Sequence, residues 1–269
     1  MLTTGLAVNT ATALNGESMK PEAGAYAYDN DFFSYIEEGA RRSAQVIVPL
    51  LAKSFHVGSV LDVGCGRGIW VKEWANCRIN DVVGVDGAYV DDAWLAIPSE
   101  QFVKCDLSQS FALQRRFDLV QSLEVGEHIA SSCADTFVTS LAAHGDIVLF
   151  SAAVPGQGGE FHVNEQPYEY WRDKFAANGF RTFDWLRPRI RDHSGVEPWY
   201  RYNTLVFARD CALNRAAPDL LETEIPHDQP VPIRAPLSWR ARNHILAQLP
   251  EAFVHRLAIL KHKLILMRR

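Results

Sequence analysis

Five short runs rich in β-branched and apolar residues, SVLDVG (59 to 64), DVVGVD (81 to 86), QFVKCD (101 to 106), FDLVQS (117 to 122) and DIVLFSA (146 to 152), are separated by segments of about ten to twenty-five residues, several with apolar residues at helical spacing. Strands that are continuously apolar and alternate with helices bury both faces of a mostly parallel sheet, so the pattern predicts a layered α/β domain. After Gln166, YEYWRDKFAANGF reads as a helix closed by Gly179, followed by strands near 181 to 186 and 203 to 208. The loop of about fifteen residues between that last pair suits an antiparallel pairing better than a helical crossover. The sheet is therefore expected to end in an antiparallel strand.

The flanks differ from this core. Residues 1 to 25 are small and polar without apolar period, which predicts a flexible arm. From Asp31, apolar residues at spacings of three and four predict two helices interrupted near Gly39 and Pro49, opening a domain over 26 to 212. Five prolines between 217 and 236 predict an extended linker over 213 to 238. Beyond it, 239 to 269 reads as a helical tail in which Phe253, Leu257, Leu260, Leu264 and Met267 form one apolar stripe.

Charge is divided unevenly between these parts. The net charge is −5, yet from Gln229 onward eight Lys and Arg face one acid, giving +7 there and leaving −12 on residues 1 to 228. An acidic body disfavours a nucleic-acid substrate. The basic amphipathic tail suits peripheral contact with anionic lipid, or docking on an acidic surface such as the protein's own body. No stretch approaches the roughly 18 apolar residues of a membrane span and the start lacks the layout of a secretion signal, so a cytoplasmic protein is expected. Five cysteines without a CxxC pair suit reduced thiols. Nothing in the sequence fixes an oligomeric state.

The chemistry begins at LDVGCGRG (61 to 68), where a buried strand runs into a turn carrying Gly64, Gly66 and Gly68. Glycines there permit a tight turn and let a ligand approach the backbone with no Cβ in the way. The third glycine arrives one residue early for the dinucleotide fingerprint. Asp86 ends the next strand 22 residues after Gly64, where a carboxylate can accept hydrogen bonds from both hydroxyls of a ribose. Asp106 follows one strand later, and the fourth strand runs out into LEVGEH, so acids line the carboxyl ends of successive strands along one crevice.

In order, spacing and strand context, LDVGCGRG, VVGVDG, KCDLSQ and FDLVQSLEVGEH resemble the successive motifs of class I S-adenosylmethionine-dependent methyltransferases over roughly 55 to 210, and SAAVPGQGGEFHVNEQPYEYW resembles a bacterial subgroup of them. The resemblance implies a three-layer Rossmann-like fold with a seven-stranded sheet, mostly parallel, whose last strand is antiparallel, and S-adenosylmethionine as cofactor. It further implies that Gly64, Gly66 and Gly68 line the methionine and ribose portion, that Asp62 supports their loop, and that Asp86 holds the ribose hydroxyls. Asp106 would lie near the adenine amino group with Leu107 beside it, and Ser122, Leu123 and Glu124 at the methyl-donating end.

Methyl transfer from a sulfonium is an in-line displacement, in which placing the acceptor and excluding water are the main tasks. Where the acceptor must lose a proton, His128 and His162 are the suited bases, with Glu127 and Glu165 in reserve. PGQGGEFHVNEQ, with three glycines, is expected to be a flexible lid. Glu127, His128, His162 and Glu165 are metal-ligand types, but no spacing fixes two of them on one face, so no metal is expected. The expected acceptor is a small molecule, a glycan or a lipid-linked intermediate. Two rival readings are an NAD(P)-dependent oxidoreductase, which would share the sheet and the acidic ribose contact, and a non-catalytic cofactor-binding or scaffold module.

Overall fold

Parallel strands β1 (Ser59–Val63), β2 (Asp81–Asp86), β3 (Phe102–Lys104), β4 (Leu119–Leu123) and β5 (Ile147–Ser151) form half of a sheet completed by β6 (Arg181–Phe183), β7 (Leu205–Ala208) and β8 (Glu224–Ile225), in the order β3-β2-β1-β4-β5-β7-β6-β8. The computed structural model describes residues 30 to 250 together with 253, 254 and 256 to 258, with side chains from 37 onward. The expected arm over 1 to 25 lies outside the described residues.

The residues of β1, β4 and β5 are almost all buried because helices cover both faces. Side chains alternate along each strand and so divide between two cores. Val60, Leu119 and Leu149 join the face covered by α1 (Asn30–Ser54) and α2 (Ile69–Asn76). Leu61, Val63, Val120, Val148 and Phe150 join the face covered by α3 (Ala134–His144) and α4 (Tyr168–Ala177). Phe175 on α4 stacks on Phe207 of β7 with centroids 4.0 Å apart.

Strand β7 runs antiparallel to both of its neighbours, β5 and β6, as the connection length suggested. That connection also carries two short helices, α5 (Arg187–Ile190) and α6 (Pro198–Asn203). The sheet has an eighth strand beyond the seven expected. Thr182 and Phe183 pair with Ile225 and Glu224, so the proline-rich stretch is extended yet not a free spacer. Leu220, Ile225 and Val231 within it are buried.

The two expected N-terminal helices are one. Pro49 sits inside α1 on its exposed side, while Ala44, Ile47, Val48 and Leu51 bury the opposite face, and that packing outweighs the backbone hydrogen bond a proline forfeits. Gly39 is a point of close approach rather than a break. A Cβ there would lie 2.6 Å from Glu197 Oε1, and the neighbouring Ser43 accepts the Glu197 backbone N–H at 3.0 Å. The five cysteines form no disulfide. Among the described residues no helix is long and apolar enough to cross a membrane.

Candidate active site

Where β1 ends, the chain turns through Gly64 (φ 81°), Gly66 (φ 54°) and Gly68 (φ 86°) before entering α2. All three lie in the left-handed region that glycine adopts without strain. A Cβ on Gly64 would also fall 2.3 Å from Val125 Cγ2, so this position is closed to larger residues by packing as well as by backbone.

Two buried acids support the turn from below. Asp86, at the end of β2, accepts Gly66 N–H on Oδ2 at 2.6 Å, Gly87 N–H on Oδ1 at 2.6 Å, and the Tyr89 hydroxyl on the same Oδ1. Burial raises its pKa, and the hydroxyl and amide donors oppose that rise. Asp62 pairs in register with Gln121 of β4, whose side chain accepts the Trp74 indole N–H at 2.8 Å. Burial pushes Asp62 up to about 7, with the nearby Gln121 side chain opposing and the Asp86 charge adding.

A cavity of about 440 Å³ opens over this turn, within the usual range of small-molecule sites. Gly64, Gly66, Leu123, Glu124, Glu127, His128 and His162 all line it, so the structure gathers seven of the residues singled out from the sequence at one place. Seven others lie outside the lining, Glu165 among them. Asp62, Gly68 and Asp86 hold the turn from behind. Ser122 is buried and donates to the Val63 carbonyl at 2.8 Å, tying β4 to β1. Leu107 belongs to the core on the α3 and α4 face. Asp106 is exposed, and its Oδ1 accepts the Ser108 backbone N–H at 2.9 Å and the Ser108 hydroxyl at 2.7 Å, an Asx turn.

Strand β4 delivers Glu124 in a left-handed conformation (φ 57°), its backbone N–H bonded to the Ser151 carbonyl at 3.0 Å. This aims its half-buried carboxylate at Gln157, whose Nε2 donates at 2.8 Å, and desolvation raises its pKa. One turn later, the 3₁₀ segment Gly126–His128 presents Glu127 and His128. The expected flexible lid is closely tied instead. The Glu127 carbonyl accepts Val163 N–H at 2.9 Å and Asn164 N–H at 3.0 Å, and Glu165 accepts the backbone N–H groups of Gly156 and Gly158, each at 2.7 Å. Those bonds carry His162 to Glu127, 35 residues away in sequence.

His162 Nδ1 lies 2.7 Å from Glu165 Oε1, and its Nε2 lies 4.0 Å from Glu127 Oε1. His128 Nδ1 lies 3.2 Å from the Phe161 carbonyl, and the two rings meet edge to face at 5.1 Å. Because a carbonyl only accepts, His128 carries its proton on Nδ1. Burial, reinforced by His162, lowers the His128 pKa to about 3, which keeps the ring neutral and makes it a poor proton acceptor near neutral pH. Glu127 is raised well above the usual carboxylate range by burial and by the charge of Glu124.

The lining also contains residues that no motif marked. Glu37 of α1 pairs with Arg67 of the glycine turn at 2.9 Å, and Trp70, Gln157 and Tyr200 form walls. The far wall comes from the tail. Arg242 and Leu246 of α7 (Leu237–Leu246), with Val254 and Leu257, close over the opening, and Arg242 donates to the Gln157 carbonyl at 2.8 Å. The apolar period and basic charge of the tail were its sequence signals, and neither says which part of the body it packs against.

A family model described as a methyltransferase domain matches residues 35 to 188. No curated protein matches the sequence. Among solved structures, the sugar N-methyltransferase KedS8 from Streptoalloteichus is 16% identical with a TM-score of 0.52, covering 74% of this chain and 99% of its own. DesVI from Streptomyces venezuelae is also 16% identical, with a TM-score of 0.50, covering 66% of this chain and 95% of its own. At that identity the likeness is one of fold.

Proposed function

The chain belongs to the methyltransferase-domain family, with S-adenosylmethionine as its methyl donor, and on that premise we propose that it methylates a hydroxyl or amine of a small-molecule, glycan or lipid-linked acceptor, with His162 receiving the acceptor's proton. The family match sets aside the oxidoreductase alternative. The observation that carries the acceptor-side reading is the His162–Glu165 pair at 2.7 Å, in which His162 stands on the cavity wall with Glu165 behind it. A carboxylate on Nδ1 fixes the tautomer that leaves Nε2 as the proton acceptor and stabilises the imidazolium formed.

The residues present fit the donor. The turn through Gly64 and Gly66 lines the cavity with backbone that carries no side chain, and a buried carboxylate, Asp86, closes the adjoining strand. In this reading Asp62 stabilises the turn and Asp86 receives the ribose hydroxyls, while Asp106 and Leu107, which stand outside the lining, are given no contact with the donor. Leu123 and Glu124 form the end where the methyl group is presented, with Ser122 holding β4 to β1 behind them. The donor supplies a methyl carbon already activated by its sulfonium. The chain's residues hold the acceptor in line with it, exclude water beneath the Leu246 and Val254 wall, and take the proton at His162 Nε2.

The −12 balance of residues 1 to 228 favours a small or lipid-linked acceptor over a polyanion. The tail over 239 to 269 adds a basic address for anionic lipid, and five of its residues, Arg242, Leu246, Val254, Leu257 and Ala258, line the cavity from which such an acceptor would be served.

The test is transfer of radiolabel from S-adenosylmethionine into extracts of the source cell, separated into lipid, small-molecule and polymer fractions. Label in the lipid or small-molecule fraction that falls at least tenfold with His162→Gln is the expected result. Label sensitive to nuclease would overturn the acceptor class. Tight donor binding with no labelled product in any fraction would favour a non-catalytic binding module. Retention on anionic vesicles, reduced when Lys261, Lys263, Arg268 and Arg269 are changed to Glu, is expected of the tail.

A further inference from the structure

The geometry points to a divalent transition-metal site formed by Glu127, His128 and His162 at the acceptor end of the cavity, its open positions facing the acceptor. One ligand atom from each residue lies within 4.8 Å of the other two. Bonds of about 2.1 Å to a tetrahedral ion separate its ligands by roughly 3.4 Å, so the three groups need to converge by little more than an ångström. The inference rests on the methyltransferase reading for the acceptor, but the ion site stands on its own geometry.

Three features distinguish this cluster from an ordinary polar patch. Glu127 is 1% exposed, and its Oε2 accepts no hydrogen bond from any described residue, a costly state for a buried carboxylate oxygen unless a cation serves it. His162 is oriented through Nδ1 by Glu165, and Glu165 is anchored by the Gly156 and Gly158 backbone N–H groups. His128 is oriented through Nδ1 by the Phe161 carbonyl. Each ring therefore turns its Nε2 lone pair away from its anchor, the arrangement that metal-bound histidines show when a carboxylate or carbonyl fixes their tautomer.

Two imidazoles and one carboxylate with positions left open suit Zn²⁺, Fe²⁺, Co²⁺ or Mn²⁺ better than Ca²⁺, which prefers an all-oxygen shell. Methyl transfer changes no oxidation state, so the ion would position the acceptor oxygen or nitrogen and make it more acidic. With the ion bound, the His162 lone pair serves the metal and the acceptor's proton leaves to solvent. Without it, His162 is the acceptor of that proton.

The test uses untagged full-length protein stripped with chelator and titrated with Co²⁺. One equivalent should bind with visible absorption bands of low coordination number, displaced by Zn²⁺. Glu127→Gln or His162→Gln should weaken binding at least a hundredfold, and Glu165→Gln, which acts through His162, about tenfold. His227→Ala, at an exposed histidine on the far side of the sequence from this cluster, should leave the titration unchanged. Absence of the bands in the wild-type protein at millimolar Co²⁺, or binding undiminished in both ligand variants, would overturn the site, and the wild-type spectrum decides the matter even if a variant fails to fold. Calorimetry with S-adenosylmethionine on the same sample separates the two readings: donor binding without Co²⁺ binding removes the metal site alone, and Co²⁺ binding without donor binding upholds the site and removes the methyltransfer role.

Discussion

The Tyr89 hydroxyl donates to Oδ1 of Asp86, the carboxylate whose other oxygen holds the Gly66 backbone, so one buried acid both braces the glycine turn and is capped by an aromatic side chain that is itself half exposed. If Asp86 receives ribose hydroxyls, that cap competes with the ligand. Tyr89→Phe is therefore expected to tighten donor binding by about three- to tenfold, the worth of one hydrogen bond, and Asp86→Asn to weaken it at least tenfold. Calorimetric titration of both variants checks the pair, and weaker binding in Tyr89→Phe would make the tyrosine a ligand contact instead.

Gly64→Ala places a Cβ 2.3 Å from Val125 Cγ2 in a backbone with φ 81°. Strain and overpacking together should cost about 2–4 kcal/mol of stability. Adding Val125→Ala should recover only the packing share, because the positive φ remains. Chemical denaturation of the single and double variants measures both parts.

Asp62 governs a pH dependence of stability. Burial raises its folded-state pKa from 3.8 to about 7, so its contribution is fully present below pH 3.8 and is lost as pH rises through about 7. Asp62→Asn removes that loss. The fall in melting temperature between pH 5 and pH 8 should be smaller in the variant by on the order of 5 °C, as thermal scans at the two pH values would read.

Arg187 is fully buried, donating to Asp184 Oδ1 at 2.6 Å and to the Tyr202 carbonyl at 3.1 Å, while Arg234 donates to the other Asp184 oxygen at 2.6 Å. Arg187→Met strands part of a buried charge and should destabilise by about 3–5 kcal/mol. Arg234→Met keeps the inner pair and should cost under about half as much, a contrast that denaturant titration resolves.

Gly156 has φ 77°, and a Cβ there would lie 2.0 Å from the Asn243 carbonyl oxygen. Gly156→Ala should push α7 off the cavity wall. Hydrogen exchange over 237 to 246 should quicken at least tenfold while β1 and β4 keep their protection.

The sheet was legible because its evidence is local. A buried parallel strand such as Leu119–Leu123 must be apolar on both faces, and the turn after β1 must be glycine where φ is positive, so residue type alone records both. The place of Asp86 at the end of β2 was legible too, but its hydrogen bond to the Gly66 backbone was not, because that joins residues 20 positions apart. The eighth strand was not legible. Glu224 and Ile225 are only two residues long, and their pairing with Phe183 and Thr182 depends on an edge 40 residues away. The single helix α1 was missed because Pro49 breaks a local rule that burial of Ile47 and Leu51 overrides.

The sequence by itself determined the class of fold, the order of its first five strands, the glycine turn and the acids at the strand ends, because backbone sterics and the periodicity of burial act between near neighbours. Only the tertiary structure decided that Glu127 and His128 meet His162, that Glu165 orients it, that Asp106 and Leu107 stand outside the cavity lining, and that Arg242, Leu246, Val254, Leu257 and Ala258 of the tail form a wall of that cavity. Those relations are contacts between loops and helices remote in the chain, and their geometry is set by how the layers pack, a quantity that no spacing of residues encodes.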